Sequence, residues 1–220
     1  SKNDVVLAVC AGAIRRYLLS IDALPSKPLI AFVPMSLRTD NSVAGNQLSF
    51  VLANLGTHLD DPLSRIELIH RSMNNGKRRF RRMNQAQVIN YSVVSYAWEG
   101  INLATGLFPK KQAFNLIISN VPGSEKPLYW NGARLQSLYP ASIVFNGQAM
   151  NITLASYLDK IEFGITACSK ALPHVQDMLI LIEEELQLLE RTSKELEFQG
   201  ITVEDKSSHK GNGKTKKLAP

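Results

Sequence analysis

The sequence predicts an α+β domain in which a mixed β-sheet is flanked by helices. Three observations lead there. Strand-like and helix-like segments follow one another without strict alternation, strand signals crowd residues 114–167, and long segments elsewhere carry apolar residues at helical spacing. With 220 residues, 45% of them hydrophobic, the chain has the apolar material for a single well-filled core.

The elements follow in order. Asn3 or Asp4 is a good helix cap, and the run Val5 to Ile14 after it is almost wholly apolar, so the first helix is buried on several sides. A domain that opens with its innermost helix suggests a partner segment preceding this chain. Pro28 to Pro34 reads as a short buried strand, and Gln47 to Leu55 as a second. Asp61-Pro62 pairs a cap with proline at the first helical position. Leu63, Ile66, Ile69, Met73 and Phe80 then carry a stripe along a long basic helix. Gln85 to Leu107 continues as a helical region dotted with small residues. Strands follow at Phe114 to Val121, Trp130 to Tyr139, Ile143 to Gln148, Met150 to Leu158 and Lys160 to Ala167, the last two forming a hairpin. Leu172-Pro173-His174 opens a final amphipathic helix. Its pattern fades near Thr192, so 1–191 reads as the folded domain and 192–220 as a disordered basic tail.

Charge and cysteine content narrow the function classes. The net charge is +6, but Lys206, Lys210, Lys214, Lys216 and Lys217 against Glu204 and Asp205 place about half of that excess in the tail. Cys10 and Cys168 have neither metal spacing nor the density of a disulfide scaffold, which favours a cytoplasmic setting and gives no metal site. No apolar run approaches the roughly 18 residues of a membrane span, so membrane contact is expected to be peripheral. His58, His70, His174 and His209 pair locally with no nucleophile and acidic orienter. GxGxxG, GxxxxGK[ST], HExxH and GxSxG are all absent. The chain therefore shows no complete catalytic centre of its own and calls for no cofactor.

Several separated motifs do carry a resemblance. They are NDVVLAVCAGAIRRYL at Asn3 to Leu18, PSKPLIAFVPMSLR at Pro25 to Arg38, GNQLSFVLANL at Gly45 to Leu55 and DDPLSRIELI at Asp60 to Ile69. They continue through QAFNLIISNVPGSEKPLYWNGARLQSLYPASIV at Gln112 to Val144 and NITLASYLDKIEFGI at Asn151 to Ile165. In this order they resemble the C-terminal half of the bacterial wax ester synthase/diacylglycerol acyltransferase family, within the CoA-dependent acyltransferases. The resemblance implies the second half of a chloramphenicol-acetyltransferase-like two-domain fold. It also implies transfer of a fatty acyl group from acyl-CoA, as co-substrate, to a long-chain alcohol or to diacylglycerol, in storage-lipid synthesis. The family's general base lies in an HHxxxDG motif of the preceding N-terminal half. That motif is missing here, so this half alone is expected to be inactive and the N-terminal half is its first partner.

Site residues follow from both readings. The apolar run ending in Ser119-Asn120-Val121-Pro122-Gly123 brings small hydrogen-bonding groups to the end of a strand, and one of Ser119 and Asn120 is expected to stabilise an oxyanion or orient the acceptor. A plain turn before Pro122-Gly123 is the competing reading. Asn3 and Asp4 match the family's ND motif, with helix capping as the alternative. Arg38, Asn46, Pro122 and Gly123 are expected to support the interface between the halves. Val93, Ala97, Gly100, Ala141 and Ser142 would line an acyl or alkyl tunnel, with Ala97 as a chain-length gate; ordinary helix packing competes. The run Lys77, Arg78, Arg79, Phe80, Arg81, Arg82 holds five positive charges in six residues. It suits a membrane or lipid-inclusion surface, the phosphates of CoA, or a solvated helix face; nucleic acid is not expected, because no binding module surrounds it. The alternative to the enzyme reading is a non-catalytic lipid-surface or assembly module with the same fold.

Overall fold

The computed structural model describes residues 1–36, 48–83 and 112–198, together with residues 86–88, 90, 91, 93, 94, 97, 101 and 105. The expected mixed sheet is present. Its strands are β1 (Ile30–Ser36), β2 (Leu48–Asn54), β3 (Leu116–Val121), β6 (Met150–Tyr157) and β7 (Lys160–Ala167), in the order β2-β1-β3-β6-β7. The central pairs β1/β3 and β3/β6 are parallel; the outer pairs β1/β2 and β6/β7 are antiparallel. A two-stranded ribbon, β4 (Tyr129–Trp130) with β5 (Ala133–Arg134), stands apart.

The pleat sorts the strands into two faces. Register puts Ala31, Val33, Val51, Ala53, Leu116, Ile118, Ile152 and Leu154 on one face, and all are buried in the hydrophobic core. Over that face lie α1 (Lys2–Ser20), α2 (Pro62–Arg81) and α3 (Asp177–Phe198). The unbroken apolar run of α1 is buried at Val6 to Ile14 and at Tyr17, as expected of an all-round apolar helix. Helices α2 and α3 pack against it, and its buried residues join the core of the sheet.

Capping differs from the sequence reading at α1. Ser1 is the N-cap, and Asp4 sits at the third helical position, where its carboxylate reaches back to the Ser1 nitrogen. At α2 the expectation holds: the Asp61 carboxylate accepts from the Ser64 backbone N–H at 2.8 Å, with Pro62 at the first helical position. The buried stripe of α2 is Arg65, Ile69, Met73 and Phe80, a charged residue where an apolar one was expected.

That arginine is explained by α3. Arg65 Nη2 lies 3.0 Å from Glu185 Oε2, and both side chains are almost completely buried. Gly12 of α1 leaves the space, since a Cβ there would fall 1.9 Å from Glu185 Oε2. Three helices thus meet at one buried ion pair. Burial pulls the Arg65 guanidinium below its ordinary pKa, and the Glu185 carboxylate opposes that shift.

Three other elements depart from expectation. Instead of a strand from Trp130 to Tyr139, Asn131 and Gly132 take positive φ (46° and 82°) and make a tight hairpin with two-residue arms. Ile143 to Gln148 is not a strand, because β3 and β7 occupy both edges of β6 and leave this segment only the face of the sheet. The final helix starts at Asp177 rather than Leu172. His174 has φ 53°, and the Pro173 carbonyl accepts from the Tyr17 hydroxyl. It also runs past Thr192 to Phe198, with the Thr192 hydroxyl bonded to the Leu188 carbonyl, so 192–198 is helical rather than tail. The rest of the predicted tail, and Arg38, Asn46 and Gly100, lie outside the described residues.

Candidate functional site

Strand direction fixes which residues meet. Because β1, β3 and β6 are parallel and β2 runs against β1, Ser36, Leu48, Val121 and Tyr157 all lie at one end of the sheet. Helix α2 tracks β2 toward that end. Ser72 Oγ accepts from Asn54 N at 3.0 Å, Gly76 lies against Val51, and the turn carrying Arg78 to Arg82 continues toward Leu48. Helix α1 runs opposite to α2: Arg15, near its far end, bonds the Thr57 carbonyl, while Asp4 at its start bonds His70. The carboxyl ends of the parallel strands, the N-terminus of α1 and the basic end of α2 therefore share one rim of the domain. In open sheets containing parallel strands that is the rim where ligands bind.

On this rim β3 presents Ser119 and Asn120 to opposite faces. Ser119 pairs in register with Thr153 and is half-buried; Asn120 pairs with Leu154 and is exposed. Among the described residues neither side chain has a hydrogen-bond partner. Ser119 lies beside a polar row on the face away from the helices. Thr153 Oγ1 donates to Asn151 Oδ1 at 3.2 Å, and Asn151 Nδ2 donates to Ser142 Oγ at 3.1 Å and to the Ile143 carbonyl at 2.9 Å. Ser142 is thereby brought to the Ser119 face, while Ala141 beside it is exposed.

The exit of β3 is held by a close approach. A Cβ on Gly123 would lie 1.8 Å from the Ser156 carbonyl oxygen, so only glycine lets Pro122-Gly123 pass this near β6. The turn is closed by Leu158 N donating to Ser124 O at 2.9 Å. Beyond it the segment 125–145 extends as an arm. It is tied to the sheet by the Tyr157 hydroxyl, which accepts from Leu128 N and donates to the Leu135 carbonyl, each at 3.0 Å. The arm exposes Tyr129, Trp130, Tyr139 and Ile143, a large apolar surface for one segment.

At the start of α1, Asp4 is buried and its Oδ2 lies 2.8 Å from His70 Nδ1. Burial opposes ionisation of Asp4, but hydrogen bonds to its carboxylate, that of His70 first among them, outweigh it and hold the carboxyl below its usual range. Its second oxygen, Oδ1, is buried and has no hydrogen-bond partner among the described residues. The pair resembles the base and orienter of a triad, and Asn74 Nδ2 lies 2.8 Å from His70 Nε2, so each ring nitrogen of His70 has a protein contact. His70 is thus a positioned residue. Cys10 is equally unsuited to chemistry, because full burial pushes its thiol up to about 12. Among the described residues no group of three or more His, Cys, Asp or Glu could hold a metal ion.

The remaining sequence candidates separate. Asn3 is half-buried beside Asp4. The described residues between 86 and 105 are helical, and Val93, Val94, Ala97 and Ile101 project outward from them as an exposed apolar stripe. Lys77, Arg78, Arg79, Arg81 and Arg82 surround two clefts on α2. The Asp4–His70 and Arg65–Glu185 pairs escaped sequence reasoning. Their partners stand 66 and 120 positions apart, and no local pattern marks them.

The family model for the WS/DGAT C-terminal domain matches residues 44–190. The chain belongs to that family. This WS/DGAT C-terminal domain is 60% identical over 188 residues to O-acyltransferase WSD of Acinetobacter baylyi, covering 86% of this chain and 41% of that protein. It is 49% identical over 193 residues to a Mycobacterium tuberculosis protein whose provisional name is diacylglycerol O-acyltransferase, covering 87% of this chain and 43% of the relative. Among solved structures it is similar to the wax ester synthase/diacylglycerol acyltransferase from Marinobacter aquaeolei VT8. That match has a TM-score of 0.79 and 43% identity, over 88% of this chain and 44% of that one. The domain thus spans about two-fifths of the length of the relatives it matches.

Proposed function

We propose that this chain is the C-terminal half of an O-acyltransferase that moves a fatty acyl group from acyl-CoA to a long-chain alcohol, giving a wax ester, or to diacylglycerol, giving triacylglycerol. The observation that carries the reading is the pair Ser119 and Asn120, side-chain donors without partners among the described residues, at the carboxyl end of a parallel strand in a domain of the WS/DGAT family. An alkoxide attacking a thioester carbonyl creates an oxyanion, and donors held in place beforehand stabilise it without reorganisation. Ser119, half-buried beside Thr153 and Asn151, is assigned that role. Asn120, across the pleat toward the start of α1, orients the acceptor.

The general base comes from the companion N-terminal half. His70 is not assigned that role: its two ring nitrogens are engaged by Asp4 and Asn74. The exposed apolar surface of the arm supports a companion, because Trp130 and Tyr139 otherwise stand in water. Val93 and Ala97 line the acceptor channel in this reading, together with Ala141 and Ser142. Lipid substrates imply contact with the inner membrane or lipid inclusions. In this reading that contact is peripheral; no helix among the described residues is long and apolar enough to cross a membrane.

The test is acyl transfer by the full-length protein, with an acyl-CoA and either a fatty alcohol or diacylglycerol. Ser119→Ala is expected to lower kcat by about 100-fold with little change in folding, the size of a lost oxyanion donor. Wild-type protein inactive with both acceptors would remove the enzyme reading in favour of a non-catalytic lipid-surface module. A Ser119→Ala variant with unchanged kcat would remove the assignment of Ser119.

A further inference from the structure

We propose that the basic end of α2 is a binding site for the phosphate groups of a discrete, nucleotide-like ligand; in the reading above, which this inference rests on, that ligand is the CoA portion of the acyl donor. Two clefts, of about 660 and 590 Å³, flank the ridge formed by Asn75 and Arg78. Arg79 and Arg82 line one cleft, and Lys77 and Arg81 line the other. No carboxylate lines either, and among the described residues none of these five cations makes an ion pair. Cations at a helix C-terminus complement its dipole, but that dipole amounts to only about half a charge and leaves most of this positive charge unmatched.

Two features favour a discrete anion over a flat charged surface. The first is order: the Arg78 guanidinium donates to Asn75 Oδ1, while the Arg79 guanidinium lies 5.5 Å from the Tyr91 ring centroid and donates to its hydroxyl. Phe80 packs edge-on against the same ring at 5.8 Å, so the platform under Arg79 is itself fixed. Guanidinium groups held in advance lose less freedom when they take a phosphate in bidentate fashion. The second is position. The clefts lie on the rim that carries Ser119 and Asn120, where a donor with phosphates at one end would present its thioester to β3.

The experiment uses the full-length protein and three probes: adenosine 3′,5′-bisphosphate, phosphatidylglycerol vesicles and phosphatidylcholine vesicles. The bisphosphate is expected to bind by calorimetry, and each of Arg78→Gln and Arg82→Gln to weaken it about 10-fold, the loss of one charge-assisted contact. Arg78→Lys should retain part of the affinity. In turnover, Arg78→Gln is expected to raise KM for acyl-CoA but not for the acyl-N-acetylcysteamine thioester, which lacks phosphates. Bisphosphate binding that ignores these substitutions, or arginine-dependent binding to phosphatidylglycerol vesicles alone, overturns the site. Turnover failing in the wild type would instead count against the acyltransferase reading, while the bisphosphate titration would still decide the site.

Discussion

Glu185→Ala is the most demanding test of how this domain is held together. Glu185 and Arg65 are 2% and 4% exposed at the side chain and 3.0 Å apart, so the substitution leaves a guanidinium in the core without its counter-charge. Losing one partner of a buried pair costs about 3–5 kcal/mol. Arg65 Nη1 keeps its bonds to the Leu59 and Asp60 carbonyls, at 3.1 and 2.7 Å, which argues for the lower half of that range. For a domain of this size about 3–4 kcal/mol corresponds to a fall in Tm of roughly 6–16 °C. The neighbouring Glu184 is the control: it pairs with Arg16 at the surface and is 46% exposed, so Glu184→Ala should cost less than about 1 kcal/mol. Replacing both buried partners, as Arg65→Met with Glu185→Leu, should recover most of the stability. Urea unfolding of the four proteins gives the comparison. Equal losses for Glu184→Ala and Glu185→Ala would refute the buried-pair account.

Three further outcomes are expected. Gly123→Ala should destabilise by about 1–3 kcal/mol in urea melts, because its Cβ would overlap the Ser156 carbonyl. It should also reduce acyl transfer more than the stability loss explains, since the exit of β3 moves with it. In native protein a maleimide should label Cys168, which is partly exposed and whose thiol is held below its usual pKa by backbone N–H groups of Ala171 and Lys170. Buried Cys10 should react only in denaturant, and early modification of Cys10 would contradict its burial. The lowered pKa values of Asp4 and Asp61 contribute stability that is fully present above their unfolded value of 3.8 and lost as pH falls through the lower folded values. Asp4→Asn should therefore flatten the acid side of a stability–pH profile, and a profile matching wild type below pH 3.8 would show that the His70 contact contributes nothing.

Local signals carried much of the architecture. The all-apolar run from Val5 announces a helix with no solvent face, Asp61-Pro62 starts α2, and the Met150 to Ala167 stretch folds as the hairpin its period-two pattern and turn demand. Such features are legible because cap, period and turn act within a few residues. The same logic failed where a segment's environment decided its state. Ile143 to Gln148 has strand-forming residues, but both edges of the adjoining strand β6 are already paired with β3 and β7, and 192–198 lacks a strong stripe yet extends a helix already nucleated.

The functional rim divides along the same line. By itself the sequence determined that Ser119 and Asn120 end an apolar strand, that Lys77 to Arg82 concentrates positive charge, and that its motifs resemble half of an acyltransferase. Only the tertiary structure decided that these belong to one end of the sheet, that Ser119 and Asn120 face opposite sides, that Asp4 holds His70, and that Arg65 needs Glu185. Those relations depend on strand direction, on the pleat and on contacts between residues up to 120 positions apart, and none of them leaves a local trace for spacing or composition to reveal.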